Sequence, residues 1–175
     1  MSGGTLIQDL DNSIRNLVSY ELGADITASI NLGFDSPNPA VAGMPVAAFF
    51  LYDLRRDEEL SVPTAAFPIK CTYLVTCVAG EALQEQQILS YVLAALSKHP
   101  YIPATLPNKE APDGPAVPIL TESMSMLAET PPRALTARPG HIDDVGAFWK
   151  ALQLEPRTAF NYEVSFAMLP PTSIR

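Results

Sequence analysis

The sequence FPIKCTYLVTCVAGEALQEQQILSYVLAALSKHP, residues 67–100, contains a strand pattern followed directly by a helix pattern. Residues 69–79 are rich in β-branched and aromatic types, which suit a half-buried pleated surface. Both faces of this segment are apolar enough to predict a strand that is covered on two sides. After Gly80, apolar residues recur at helical intervals until Pro100 ends the pattern. The predicted apolar stripe of this helix consists of Leu83, Ile88, Leu89, Val92, Leu93 and Leu96.

Three further elements are predicted on the N-terminal side of this unit. Residues 6–18 carry an apolar helical stripe, and Gly23 is well placed to end that helix. Residues 26–34 alternate between apolar and polar side chains, which predicts a strand with one face in water. Residues 46–52 form an almost continuous apolar run, which is typical of a buried central strand.

The C-terminal side adds two predicted strands with a short helix between them. The strands are expected over residues 119–126 and 160–168, and the helix begins at Asp143 or Asp144 and continues to Leu152. The resulting order is helix, three strands, helix, strand, helix, strand. It predicts a single α+β domain over residues 1–175, with a mixed, mainly antiparallel sheet packed against helices.

Net charge and hydropathy argue against two classes of partner. The formal charge is −8 and no cluster of lysine and arginine is present, so we expect no nucleic-acid partner. No apolar run reaches the length of about 18 residues that a membrane span requires, and the N-terminus lacks a secretory pattern. We therefore expect a cytoplasmic protein at synthesis, without membrane insertion.

The sequence contains no pattern that indicates catalysis, a cofactor or a metal. Cys71 and Cys77 are the two cysteines, and six strand positions hold them about 20 Å apart, too far for a disulfide. We expect both to be buried. His99 and His141 have no ligand spacing to each other or to the cysteines, and no glycine loop that could hold a phosphate is present. The sequence thus predicts a protein that is not an enzyme.

A charged segment over residues 53–63 is the predicted contact surface. It links the apolar strand at residues 46–52 to the core strand, and if these two strands are antiparallel neighbours it projects from the domain as the end of a hairpin. Mixed charge on such a projection suits a polar contact with another subunit. The candidate interface residues in it are Arg55, Arg56, Asp57, Glu58 and Glu59.

Four segments, taken in chain order, resemble the N-terminal domain of the tail-terminator or cap proteins of contractile injection systems, which are phage-tail-like particles. VAAFFLYDLRRDEEL is similar to that family's LYD strand and charged loop, and PIKCTYLVTCVAG to its alternating YLVT strand. LQEQQILSYVLAALSKHPYIP resembles its helix ending in His-Pro. HIDDVGAFWKALQLEPRTAFNYEVSFAM resembles its short tryptophan-containing helix and final strand. The resemblance begins in the first helix, LDNSIRNLVSYEL, and ends at Met168.

This resemblance implies a structural role. The implied subunit belongs to a ring, six-fold to match tube and sheath, at the end of the particle opposite the baseplate. There it halts polymerisation and links the inner tube to the sheath. The implied partners are the tube and sheath proteins and further copies of the chain.

Two other interpretations remain open at the level of sequence. In the first, the protein is an assembly adaptor that captures a partner strand at the edge of its sheet. The expected edge is residues 160–168, with Tyr162, Val164 and Phe166 as candidate interface residues. In the second, an enzyme site lies in the proline-rich loops around His141, with Asp143 and Asp144.

Overall fold

The computed structural model describes residues 6–40, 43–60, 66–121, 124, 133–136 and 145–168. Three helices and seven strands are present in these ranges. The helices are α1 (Leu6–Thr27), α2 (Ala82–Ser97) and α3 (Val145–Ala151). The strands are β1 (Asn31–Gly33), β2 (Val46–Arg56), β3 (Phe67–Val78), β4 (Thr105–Leu106), β5 (Val117–Pro118), β6 (Arg133–Thr136) and β7 (Ala159–Met168). The predicted α+β class is confirmed.

Five of the strands form one sheet in the order β1-β2-β3-β7-β6. The pairing of β1 with β2 is parallel and the other three pairings are antiparallel, so the sheet is mixed and mainly antiparallel as predicted. β4 and β5 pair with each other in a separate two-stranded sheet. β2 and β3 are antiparallel neighbours, which confirms the hairpin predicted between them.

β3 is the central strand and is buried along its length after Phe67. Its two neighbours cover its edges, with Ala47 opposite Cys77 on β2 and Val164 opposite Cys71 on β7. Helices α1 and α2 pack on the face of the sheet that carries Tyr73, because side chains of both helices join these strands in one apolar core. The helical contributors are Leu10, Ile14, Leu17, Val18, Ile88, Leu89, Val92 and Leu96.

The first helix breaks where the sequence predicts, but the strand after it is shorter than expected. Gly23 has φ 79°, a left-handed conformation that glycine adopts without steric cost. Beyond it the chain forms one more helical turn, in which the Ala28 amide donates to the Ala24 carbonyl at 2.9 Å. The strand predicted over residues 26–34 was therefore wrong at its start, and only Asn31–Gly33 pairs with β2.

The apolar stripe of α2 differs from the predicted one at two positions. Leu83 is 76% exposed and Leu93 is 39% exposed, whereas Ala95 is buried. Leu83 lies in the first turn of the helix, and Leu93 lies at the margin of the buried stripe. The buried stripe consists of Ile88, Leu89, Val92, Ala95 and Leu96.

The strand predicted over residues 119–126 does not begin where it was expected, and the described residues at its start are irregular. Ile119 and Leu120 are buried without being in a strand, and the amides of both donate to the Ala104 carbonyl. Met124 is helical and buried. The Asn16 side chain donates to the Ile119 carbonyl at 3.0 Å, so α1 fixes this connection against the core.

Candidate functional site

The hairpin formed by β2 and β3 ends in a group of exposed side chains. We define the hairpin end as Leu54, Arg55, Arg56 and Phe67. Leu54 is 55% exposed and Phe67 is 46% exposed, both high values for large apolar residues. The Arg56 guanidinium lies 5.6 Å from the centroid of the Phe67 ring, a cation–π distance. Arg55 and Arg56 are the last two residues of β2, so the strand continues into the segment that was predicted to be a loop.

Asp57 differs from its neighbours because it faces the interior. Its side chain is 4% exposed and lies 3.9 Å from Lys70 Nζ, which in turn is 3.8 Å from Glu163 Oε2. Asp57 Oδ1 accepts a hydrogen bond from the Glu59 amide at 3.0 Å. Asp57 thus fixes the turn after β2, while Glu58 and Glu59 remain exposed beside it.

The environment of Asp57 favours its charged form. Burial alone raises the pKa of this carboxyl, but the neighbouring Ser165 hydroxyl, the Glu59 amide and the Lys70 charge together outweigh burial. The net effect holds the pKa of Asp57 below its ordinary value. Asp57 therefore remains an anion that anchors the hairpin.

Tyr162 and Val164 do not lie at an edge of the sheet, whereas Phe166 lies one residue beyond the end of the β6 pairing. β7 lies between β3 and β6, and Arg133–Thr136 of β6 pair with Tyr162 to Ser165. All three side chains are fully buried in the core. The prediction that β7 offers an edge for a partner strand was wrong over this stretch, because β6 covers it. β6 lies in a segment for which no strand was predicted.

A longer stretch without a described neighbour lies on β2. β1 pairs only with Val46 to Ala48, so β2 has no neighbour on that side from Phe49 to Arg56 within the part of the chain that the structure describes. Sequence reasoning missed this edge and the exposed Leu54 and Phe67. The length difference between β1 and β2 was not visible in the apolar pattern.

A cluster of charged groups joins α1 to the C-terminal end of α2. Glu21 Oε2 accepts a hydrogen bond from Lys98 Nζ at 2.8 Å, and His99 Nε2 lies 2.8 Å from Glu21 Oε1. Lys109 Nζ, from the following connection, is 3.9 Å from Glu21 Oε2. Burial raises the pKa of Glu21, but the hydrogen bonds with Lys98 and His99 and the charges of Lys109 and Lys98 outweigh it and lower the pKa overall. The partners of His99 indicate a structural role.

Two of the clefts among the described residues contain no arrangement for catalysis. The smaller, of about 180 Å³, is lined in part by Cys77, Glu85 and Arg157, and the larger, of about 480 Å³, by Trp149 and Leu154. Burial and the nearby Glu85 raise the pKa of the Cys77 thiol to about 11, so this sulfur is protonated at neutral pH. A protonated thiol is a poor nucleophile. Cys71 and Cys77 are both buried and free, as predicted.

The described residues include no group of three or more histidine, cysteine, aspartate and glutamate side chains that could hold a metal ion. None of the helices among them is long and apolar enough to cross a membrane. His141, Asp143 and Asp144, the candidate residues of the proposed loop enzyme site, lie outside the described residues.

The sequence matches the protein family described as the Pvc16 N-terminal domain over residues 9–175. The chain has no match among the curated proteins with which it was compared.

Two solved structures share the fold. One is the sheath/tube terminator of PVC, an extracellular contractile injection system, in its extended state; it is 21% identical, with a TM-score of 0.63 over 94% of this chain. The other is the tube-terminating cap of the anti-feeding prophage, 19% identical, with a TM-score of 0.63 over 95% of this chain. In each case the chain spans 56% of the length of the solved protein.

Proposed function

The chain belongs to the Pvc16 N-terminal domain family, and from that membership we propose that it is a structural subunit that caps the distal end of a contractile injection particle. In this role it ends the polymerisation of tube and sheath and links the one to the other. The single observation that carries the proposal is the family match, which takes in nearly the whole chain, from residue 9 to residue 175.

The fold supports the same role. The two solved proteins that share it carry the descriptions sheath/tube terminator and tube-terminating cap. At about 20% identity this likeness concerns the fold, and their partners are extended to this chain as part of the proposal. The proposed partners are accordingly a tube protein, a sheath protein and further copies of this chain.

We further propose that the subunits form a closed ring, with six copies to match tube and sheath. In a closed ring of identical subunits, each subunit presents one surface to one neighbour and a different surface to the other. The sheet offers two unlike sides, since the exposed end of β2 lies at one side and the short strand β6 at the other. Arg55, Arg56, Glu58 and Glu59 are the charged residues proposed to contribute to such a contact.

A structural role also agrees with the chemistry of the described residues. Burial raises the pKa of the Cys71 thiol to about 12, and His99 is engaged with Glu21. The charged groups of the core contact one another instead of converging on a cleft. The proposed site of action is the end of the particle, after synthesis in the cytoplasm.

Particle length tests the proposal. Particles are produced from the complete gene set, from a set without this chain, and from a set in which the chain carries Arg55→Glu with Arg56→Glu. Omission of the chain is expected to give particles of irregular length, because nothing stops tube growth, and the charge reversal is expected to reproduce part of that defect. An unchanged length distribution without the chain would contradict the capping role.

A further inference from the structure

Among the described residues, no strand pairs with the outer side of β2 from Phe49 to Arg56, so the backbone groups there have no partner strand in that part of the chain. Successive residues of a strand direct their N–H and C=O groups to opposite sides. The Asp57 amide donates to the Pro68 carbonyl at 3.0 Å, so Asp57 faces β3. By alternation, Arg56 and Leu54 direct their N–H and C=O groups away from β3, toward the side where β1 has already ended.

The N-terminal part of β2 alternates in the same way. The Asn31 amide donates to the Pro45 carbonyl at 2.8 Å, so Pro45 faces β1, and by alternation Leu51 faces the same side. The register shift between Leu51 and Asp53 inserts Tyr52 as an extra residue, which moves the outward set from Leu51 to Leu54 and Arg56. We define the open edge as residues 51–56.

Side chains along the open edge are exposed to solvent, unlike those of a strand that is covered by a neighbour. Leu54 is more than half exposed, and the Arg55 side chain is 60% exposed. No proline or lysine interrupts residues 51–56, although such residues commonly protect the edges of natural sheets. Tyr52 alone, as a bulge, disturbs the regularity of the edge.

The side chains along the open edge define the chemistry of the strand that would fit. Leu54 and Arg56 lie on the same face of the sheet, two positions apart, and Phe67 of β3 lies on that face beside them. Arg56 has no carboxylate partner among the described residues. A strand alongside would therefore place an apolar side chain next to Leu54 and, two residues further on, a carboxylate next to Arg56.

We propose that the open edge receives an extended segment of another protein by strand addition, with an apolar residue beside Leu54 and an aspartate or glutamate beside Arg56. Backbone hydrogen bonds supply the affinity in this mode of binding, and the side chains supply the specificity. The inference stands apart from the capping role, because it concerns what the edge binds and not where the protein acts.

A second copy of this chain fits the edge less well. Two copies paired edge to edge through the same residues form a two-fold dimer. Both open edges are then occupied, and no further copy can be added through them. The acidic residue proposed for the incoming strand has no counterpart on β2 itself opposite Arg56.

The test is a titration of the isotope-labelled protein with a synthetic peptide, monitored by nuclear magnetic resonance. The peptide concentration is raised to about 2 mM, so that weak binding is detected. The probes are the capped peptides TVTVTET and TETVTVT, which present the same face to the edge in parallel and antiparallel directions. The control for the parallel probe is TVPVPET, in which prolines replace the two threonines whose amides would face the edge. In the antiparallel probe the amides of the glutamate and of the central valine face the edge, so its control is the same peptide with these two amides N-methylated. We expect saturable shifts at the amide signals of Leu51, Leu54 and Arg56 with at least one probe and none with its control.

Leu54→Pro is the decisive variant. It removes an N–H that points away from β3, so the β2–β3 ladder keeps its hydrogen bonds. We expect Leu54→Pro to weaken probe binding at least about tenfold. The matched control Leu54→Thr retains the backbone amide and is expected to fold and to bind the probe. Unperturbed signals from β7 report that the variants are folded.

Absence of saturable shifts at the open edge, or equal binding by Leu54→Pro, would overturn the proposal. Dimerisation of the protein alone that Leu54→Pro abolishes would also overturn it, because a second copy would then be the occupant.

Discussion

The phenolic hydroxyl of Tyr73 donates a 2.7 Å hydrogen bond to Oδ1 of Asp11. This bond connects the central strand β3 to helix α1 across 62 residues of sequence. Burial raises the pKa of Asp11, against the opposing effect of the Tyr73 hydrogen bond. Tyr73 is fully buried, so the bond supplies a partner to a carboxylate that has lost part of its hydration.

Tyr73→Phe is expected to lower the free energy of unfolding by about 1.5 to 3 kcal/mol at neutral pH, the usual range for a hydrogen bond to a charged group. The loss arises because Asp11 stays partly buried without its donor. Urea denaturation followed by circular dichroism measures it. Asp11→Asn is the matched control, since it keeps an acceptor for Tyr73 and removes the buried charge, and it should cost less than Tyr73→Phe. The opposite ranking would show that Asp11 is stabilised mainly by other groups.

Glu21→Gln is expected to lower stability in a pH-dependent way. The folded state holds the pKa of Glu21 below its ordinary value of 4.5, so the ionised carboxylate contributes stability that is present above that value and is lost as the pH falls further. The deficit of the variant should be about 1 to 3 kcal/mol at pH 7 and should shrink below pH 4.5. Denaturation of both proteins between pH 3 and 7 measures this difference. Glu58→Gln, at an exposed site, provides the control, and a deficit of Glu21→Gln that is constant with pH would refute the explanation.

Gln153→Gly is expected to stabilise the protein. Gln153 has φ 57°, and it follows α3 at a position where its amide donates to the Lys150 carbonyl and the next amide donates to the Trp149 carbonyl. This is the hydrogen-bond pattern of a helix end that favours glycine. Relief of the left-handed strain is worth about 1 kcal/mol. Thermal unfolding detects the gain, and Gln153→Ala, which keeps a Cβ, should give none. Equal melting temperatures for the two variants would argue against strain at this residue.

Both cysteines are expected to be unreactive in the native protein. Burial, followed by the nearby acidic groups, raises the thiol pKa to about 12 for Cys71 and about 11 for Cys77. At pH 8 both thiols are therefore protonated as well as shielded. Mass spectrometry after treatment with iodoacetamide should show no modification of the folded chain and two modifications after unfolding in guanidinium. Rapid labelling of Cys77 in the native state would show that the cleft beside it admits reagents.

The parts of the fold that were predictable are those in which one segment determines its own structure. β3 and α2 were predicted because a strand buried on both faces and a helix with an apolar stripe leave strong periodic patterns. The rotation of α2 was less certain, because Leu93 and Ala95 are both compatible with helical spacing. Only packing against α1 and the sheet selects Ala95 as the buried residue.

The order of the strands was not predictable in the same way. Whether β7 is an edge depends on its pairing with β6, which lies about 25 residues earlier in a proline-rich segment. The burial of Asp57 likewise depends on Lys70, a residue on the neighbouring strand that the register brings within 3.9 Å. The charged segment was thus placed correctly at the end of the β2–β3 hairpin, and its role as a contact surface stays a prediction. Which of its side chains point inward and which point outward could be read only from the three-dimensional pairing.

The capping role is tested most directly by electron cryomicroscopy of particle ends. Particles assembled with the chain should show additional density at the end opposite the baseplate, with the symmetry of tube and sheath, into which the β2–β3 hairpin and helix α2 fit. Particles assembled without the chain should lack that density. Identical ends in both preparations, or density for the chain at a different place on the particle, would contradict the account.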